Sequence, residues 1–390
     1  MMKNLVVGLA LLMVSGVQAQ EGYGFKPVKK IAVTSVKNQA ISGTCWCFAT
    51  TSFMEAELLR MHKGTYDLSE MYIVRQKYKN QLADNFLRRG KGNVGQGSLS
   101  HTFMNAYRQV GILPESVYKG IQYDSEMHNH SEIEGYVSAL AKEEVALKNR
   151  SEQVKALENS LFDIYMGEIP QHFTYQGKEY TPASFTASLG LNMDDYIELT
   201  SFTHHPYYKK MEIEVPDNWE HQLMYNLPLD ELQQVIDAAL NHGFTVCWDG
   251  DVSEPGFSAH AGVAIMPDGG EVKDLSKSDR ARFEKLSPDL RMQEILKFEQ
   301  PYPELAITPE QRQQGFERFK TTDDHLMHIT GLMKDKKGKL YYRTKNSWGT
   351  NRVAHQGYVY MSPSYFRAKT IYIMVHKDAI PEAIKKKLGL

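Results

Sequence analysis

Two short stretches, far apart in the chain, hold residue types whose spacing could support nucleophilic chemistry. The first is Gly43-Thr44-Cys45-Trp46, which reads as the start of a helix running to about His62, with Phe48, Phe53, Met54, Leu58 and Leu59 at its apolar positions. A helix N-terminus favours a thiolate through its dipole and unpaired N–H groups, lowering the thiol pKa from a free value near ~8.5. Gly43 permits close approach of a substrate backbone. Six residues upstream, Gln39 offers a side-chain amide that can join the Cys45 N–H as the second donor of an oxyanion hole. Locally, the pattern also fits a helix start with a buried cysteine and a polar loop.

The second stretch lies near the C-terminus. Asp324-His325-Leu326-Met327 opens one strand and Lys345-Asn346-Ser347-Trp348-Gly349 ends the next, with the charged segment 334–339 as the hairpin loop between them. The hairpin brings Asn346 to His325, where its oxygen is expected to accept the Nδ1–H and fix the tautomer, shielded by Trp348. Cys, His and Asn in this order supply a nucleophile, a base and an orienter. Two histidines compete with His325. His260 lies 86 positions before Asn346, too far to share a hairpin with it, and His328 falls on the opposite side of the strand from His325.

The elements that must position these residues change character along the chain. Helical signals dominate the first part: Ser69 and Ser98 as caps, apolar residues at helical spacing from His130 to Tyr165, and the openings Thr181-Pro182 and Thr308-Pro309. A further helix covers 229–240. Short β-branched and aromatic runs follow at 244–248, 325–333, 340–345, 357–361 and 371–375. The expected class is α+β, a helical N-terminal half and an antiparallel C-terminal half. Gly95 and Gly97 precede a helix and are candidates for the wall of a substrate cleft, or a plain turn.

Of 390 residues, 45 are basic and 47 acidic, a net charge of -2 that provides no global field for nucleic acid. Lys3, the apolar run Leu5 to Val17 and Val17-Gln18-Ala19 read as a signal peptide cut after Ala19, because the run falls short of the ~20 residues a membrane span needs. The expectation is an exported protein, periplasmic or secreted, with no membrane association after cleavage. Three cysteines leave at least one thiol free; Cys47 is expected as a buried thiol, with a Cys47–Cys247 disulfide as the alternative. Gly90-Lys91-Gly92-Asn93-Val94-Gly95 follows no strand and is rejected as a dinucleotide loop, and His128-Asn129-His130 lacks a third metal ligand.

Gln39, Cys45-Trp46, His325 and Asn346-Ser347-Trp348-Gly349 together resemble the papain superfamily of cysteine peptidases, in its bleomycin hydrolase / aminopeptidase C branch. Ser42 stands where papain and the cathepsins carry a first cysteine. Cys45 and His325 are 280 positions apart, against ~130–150 in those enzymes. Gly167-Glu168-Ile169-Pro170, Phe173-Thr174-Tyr175 and Thr181-Pro182-Ala183-Ser184-Phe185 resemble that branch's insertion. The resemblance implies a papain-like fold of two subdomains with a large helical insertion. The expected divisions are a signal peptide 1–19, a helical half 20–122, a mostly helical insertion 123–225, a β half 226–377 and a tail 378–390. It further implies hydrolysis of peptide substrates by Cys45, His325, Asn346 and Gln39 without a cofactor, in a homo-hexamer, with cleavage from the N-terminus. In that branch the C-terminal tail enters the cleft and offers its carboxylate to the substrate's ammonium. Here fifteen residues follow Val375 and include a helix opening at Pro381-Glu382, so the tail is expected to stop short, leaving an endopeptidase as the alternative. An acyltransferase and an inactive peptide-binding homologue are the more distant alternatives.

Overall fold

A computed structural model describes residues 22–269, 277–283 and 285–390 of the chain; the expected signal peptide lies outside them. In chain order the elements are β1 (Lys26–Lys30), α1 (Cys45–Arg60), α2 (Glu70–Leu87), α3 (Ser100–Val110), α4 (Ser131–Leu147), α5 (Glu152–Met166), β2 (Phe173–Tyr175), β3 (Lys178–Tyr180) and α6 (Pro182–Leu189). There follow β4 (Tyr196–Thr200), β5 (Lys210–Glu212), β6 (Leu223–Asn226), α7 (Leu229–Asn241), β7 (Val246–Gly250), β8 (Phe257–Ser258), β9 (Val263–Ala264), α8 (Lys277–Phe283), α9 (Pro288–Ile295) and α10 (Pro309–Glu317). The chain ends with β10 (His325–Lys334), β11 (Leu340–Lys345), β12 (Tyr358–Met361), α11 (Pro363–Lys369), β13 (Thr370–His376) and α12 (Glu382–Leu388).

One sheet runs β5-β6-β4-β13-β7-β10-β11-β12-β9-β8, with β1 added to the far half of β10. Its centre, β13-β7-β10-β11-β12, is antiparallel throughout, with β10 and β11 joined as a hairpin. Alternation along β7 assigns the two faces: Cys247 packs with Trp46 and Phe53 of α1, whereas Val246 and Trp248 pack with Leu232 and Val235 of α7. The nucleophile helix therefore lies on one face of the sheet and α7 on the other.

Helix α1 is buried from Trp46 to Leu58, which suits a helix enclosed between sheet and helices. Its two buried acids are paired. Glu55 accepts the Leu68 N–H at 2.9 Å and lies 3.5 Å from Lys37, and Glu57 takes Arg60 at 2.9 and 2.7 Å. Thr181 and Thr308 both close capping boxes with Pro in the first turn. Ser98 does not cap α3: the helix begins two residues later, and the Ser98 hydroxyl donates to Thr102 instead, at 2.7 Å.

The 123–225 segment is less helical than expected, because β4, β5 and β6 leave it to extend the sheet. The reason lies in β4, Tyr-Ile-Glu-Leu-Thr, where Glu198 is buried and bonded to His101 at 3.1 Å, so a charge occupies a core slot. The tail segment forms α12. Its Ile384 and Leu388 enter the cluster of Leu232, Val235, Ile373 and Val375, and Lys387 pairs with Glu231 at 2.6 Å. That docks the tail on the α7 face, behind the sheet as seen from α1.

Candidate active site

Cys45 is the first residue of α1 and is partly exposed. Its sulfur receives the backbone N–H of Leu326, the residue after His325, so the helix start and the start of β10 meet at the thiol. Thr44 supplies no side-chain cap; its hydroxyl is 2.6 Å from that of Ser42. The Cys47 N–H already turns back to the Thr44 carbonyl at 2.9 Å, whereas the Cys45 N–H, at the first helical position, has no intrahelical acceptor and is available to a developing oxyanion.

Gln39 is held on three sides. Its N–H donates to the Ser347 carbonyl at 2.8 Å, its Oε1 accepts the Ser347 hydroxyl at 2.6 Å, and its Nε2 donates to the Ser42 carbonyl at 2.7 Å. An amide nitrogen carries two hydrogens, so one remains for an oxyanion. The clamp residue Ser347 has no role in the sequence reading, although it lies within the Asn346-Ser347-Trp348 motif; its signal was its place between two candidates.

His325 and Asn346 are brought together by the β10–β11 hairpin, and both are buried, 3% and 4% exposed. The bond between them differs from the one expected: the nitrogen facing the Asn346 oxygen is Nε2, at 2.7 Å, not Nδ1. The same oxygen accepts the Ser347 N–H at 2.7 Å, which fixes it as an acceptor and the imidazole as the Nε2–H tautomer. Nδ1 is thereby the proton-accepting nitrogen. Trp348 covers the pair, its ring 4.6 Å from the His325 ring and tilted by 32°.

The electrostatics also depart from the helix-dipole expectation. Burial pushes the Cys45 thiol up to about 12, reinforced by Asp249, Asp323 and Asp217 and opposed by the Leu326 N–H. Burial likewise pushes His325 down to about 4, against the Asn346 bond. Desolvation outweighs the dipole because both groups lose water at once. Both shifts run toward the neutral form, thiol for Cys45 and imidazole for His325.

Gly97 is needed for a packing reason the sequence did not show: a Cβ there would lie 2.1 Å from Asp217 Oδ2. Gly95 gives its carbonyl to the Lys77 ammonium. Between them Gln96 accepts the Gly43 N–H at 2.6 Å and the Trp46 indole N–H at 3.0 Å, so the loop 95–97 is docked beside the nucleophile. His328 is fully buried with Nδ1 2.9 Å from the Ser52 hydroxyl, and His260 Nδ1 lies 2.9 Å from the Arg352 carbonyl. Neither bonds to Asn346. Cys47 and Cys247 are free thiols with separate partners, Glu70 carbonyl at 3.2 Å and Ser100 hydroxyl at 3.5 Å.

Comparison with known proteins bears on the same two halves. The family described as "Papain family cysteine protease" matches residues 24–186, which include Gln39 and Cys45, and the "Peptidase C1-like family" matches residues 304–389, which include His325 and Asn346. These two matches, with the relatives that follow, support the papain superfamily and within it the bleomycin hydrolase / aminopeptidase C branch. Among its relatives, Aminopeptidase G of Lactobacillus delbrueckii subsp. lactis is 25% identical, over 89% of this chain and 82% of that protein. Cysteine proteinase 1, mitochondrial, of Saccharomyces cerevisiae is 22% identical over 99% and 83%. The crystal structure of PepW from Lactobacillus rhamnosis HN001 has the same fold, with a TM-score of 0.66 at 18% identity, covering 96% of this chain and 86% of that one. The α+β arrangement described above is thus the papain-like fold.

Proposed function

We propose that this papain-superfamily protein is a cysteine aminopeptidase that works through Cys45, His325 and Asn346, with Gln39 as an oxyanion donor. The observation that carries the reading is the double bond load on the Asn346 oxygen, which leaves His325 Nδ1 free to take a proton beside a cysteine at a helix start. In the first step Nδ1 takes the thiol proton as Sγ attacks the scissile carbonyl. The tetrahedral oxyanion is met by the remaining Gln39 Nε2–H and the Cys45 N–H. The imidazolium then protonates the leaving amine, and water, deprotonated by the same nitrogen, cleaves the thioester. Asn346 holds Nε2–H throughout. Relatives named aminopeptidase G, E and C support the exopeptidase assignment. The segment ending at Ala19 supports export.

A fluorogenic aminoacyl amide and its N-acetylated twin test this, each with and without iodoacetamide. The free-amine substrate should be cleaved faster, and alkylation should abolish the reaction. Turnover that survives alkylation, or no turnover at all, refutes the assignment. The docking of α12 on the α7 face favours a second reading, an endopeptidase with an open cleft, for which the acetylated substrate would be the faster.

A further inference from the structure

An enzyme that cuts beside a free N-terminus must take the α-ammonium out of water, and a buried charge needs an opposite charge to meet it. Segment 378–390 offers none at the cleft, since α12 packs on the other face of the sheet. Three carboxyl groups lie around Cys45 instead. Asp217 rests its carboxylate on Gly97, in the loop tied to the start of α1 through Gln96. Asp323 stands two residues before His325. Asp249 pairs in register with Leu326, whose N–H meets the thiol, and shares with Cys247 the face of β7 turned toward α1.

Asp249 is 0% exposed and its carboxyl group meets that of Asp323; beyond that shared contact neither of its oxygens, nor Oδ2 of Asp323, receives an N–H or hydroxyl from another described residue. Of the basic groups nearby, Lys77 spends its ammonium on the Gly95 carbonyl and His101 Nδ1 lies 3.1 Å from Glu198. Buried acceptors without donors are costly, so this is a place that a donor-rich cation would improve. A cavity of about 590 Å³ opens at Asp323, walled also by Pro216, Thr322, Phe316 and Phe319.

We propose that Asp217, Asp249 and Asp323 form a subsite beside Cys45 for a positively charged group of the peptide substrate. That group is either the α-ammonium or the side chain of a lysine or arginine. The proposal rests on the peptidase reading above and names the substrate class it selects. Burial, with the charge of Asp217, pushes Asp323 up to about 8, and burial with the charge of Asp323 raises Asp249, so the empty subsite holds protons that an arriving cation displaces.

Three amides test it: leucyl, acetyl-leucyl and acetyl-lysyl-leucyl, each with wild type, Asp217→Asn and Asp323→Asn. If the subsite takes the α-ammonium, the kcat/KM ratio of leucyl to acetyl-leucyl amide falls roughly 10- to 100-fold in the variants, the worth of a charged hydrogen bond. If it takes a basic side chain, the ratio of acetyl-lysyl-leucyl to acetyl-leucyl amide falls instead. On wild type alone, leucinamide or lysinamide should slow iodoacetamide labelling of Cys45 at lower concentration than acetyl-leucinamide does, a readout that needs no variant to fold. Unchanged ratios with no preferential protection overturn the subsite while leaving the peptidase standing. Failure of wild type to hydrolyse any of the three overturns both.

Discussion

Replacing Asn346 by alanine removes one oxygen that serves two donors, His325 Nε2–H and the Ser347 N–H, each at 2.7 Å. Both donors sit in a buried setting, so water replaces the oxygen poorly. The Ser347 N–H left without an acceptor costs about 1–3 kcal/mol of stability. The bond to His325 matters more for rate, because the ring gains a positive charge as it takes the thiol proton, and a hydrogen bond to a charged group is worth about 1.5–3 kcal/mol. At 1.36 kcal/mol per tenfold, kcat should fall by about 10- to 150-fold with a smaller change in KM. The companion substitution Asn346→Asp keeps the acceptor but adds a negative charge. His325 now lies at about 4, below its ordinary 6.5, so it stays neutral and able to accept a proton until the pH falls toward that value. A carboxylate beside it favours the imidazolium and raises that pKa, so the acid limb of the kcat/KM profile should move to higher pH. Stopped-time hydrolysis of an aminoacyl coumarin amide across pH 4–9, with thermal melts of each variant, reads all of this. A kcat within twofold of wild type for Asn346→Ala, or an acid limb unmoved in Asn346→Asp, would refute the role given to this bond.

Ser347→Ala should lower kcat about tenfold by freeing the Gln39 side chain, and Gln39→Ala should add little when combined with it; additive losses in a double-mutant cycle would contradict the clamp. Brief iodoacetamide treatment followed by peptide mapping should label Cys45 before the buried Cys47 and Cys247, and more slowly than a free thiol, since burial holds its pKa up; preferential labelling of Cys47 would contradict this. Leu388→Asp should lower the melting temperature, by placing a charge in the α7-face cluster, without altering the free-to-acetylated substrate ratio. A changed ratio would place the tail in the cleft after all.

The chemistry was legible because its residues are local signatures. A cysteine after Gly43-Thr44, and an asparagine followed by Ser347-Trp348-Gly349, each announce themselves within a few positions, and a hairpin of known loop length joins His325 to Asn346. The ring nitrogen was not legible. Which of Nδ1 and Nε2 meets the asparagine depends on the rotation of the imidazole against the Trp348 ring 4.6 Å away, not on spacing. Strands β4 to β6 escaped for a related reason. A charge such as Glu198 breaks an apolar alternation unless its partner, His101, is known, and that partner lies 97 positions away.

Substrate choice is harder to read than chemistry because it is built from single residues of many segments. Asp217 follows β5, Asp249 lies in β7, and Asp323 precedes β10; each alone is an ordinary acid in a chain with 47 of them. Only the sheet order, with β7 beside β10, and the absent side chain of Gly97 bring them to the thiol. Burial keeps Asp249 and Asp323 protonated, so on their own they add little negative charge at the thiol. A seated ammonium displaces those protons, which couples substrate charge to proton release.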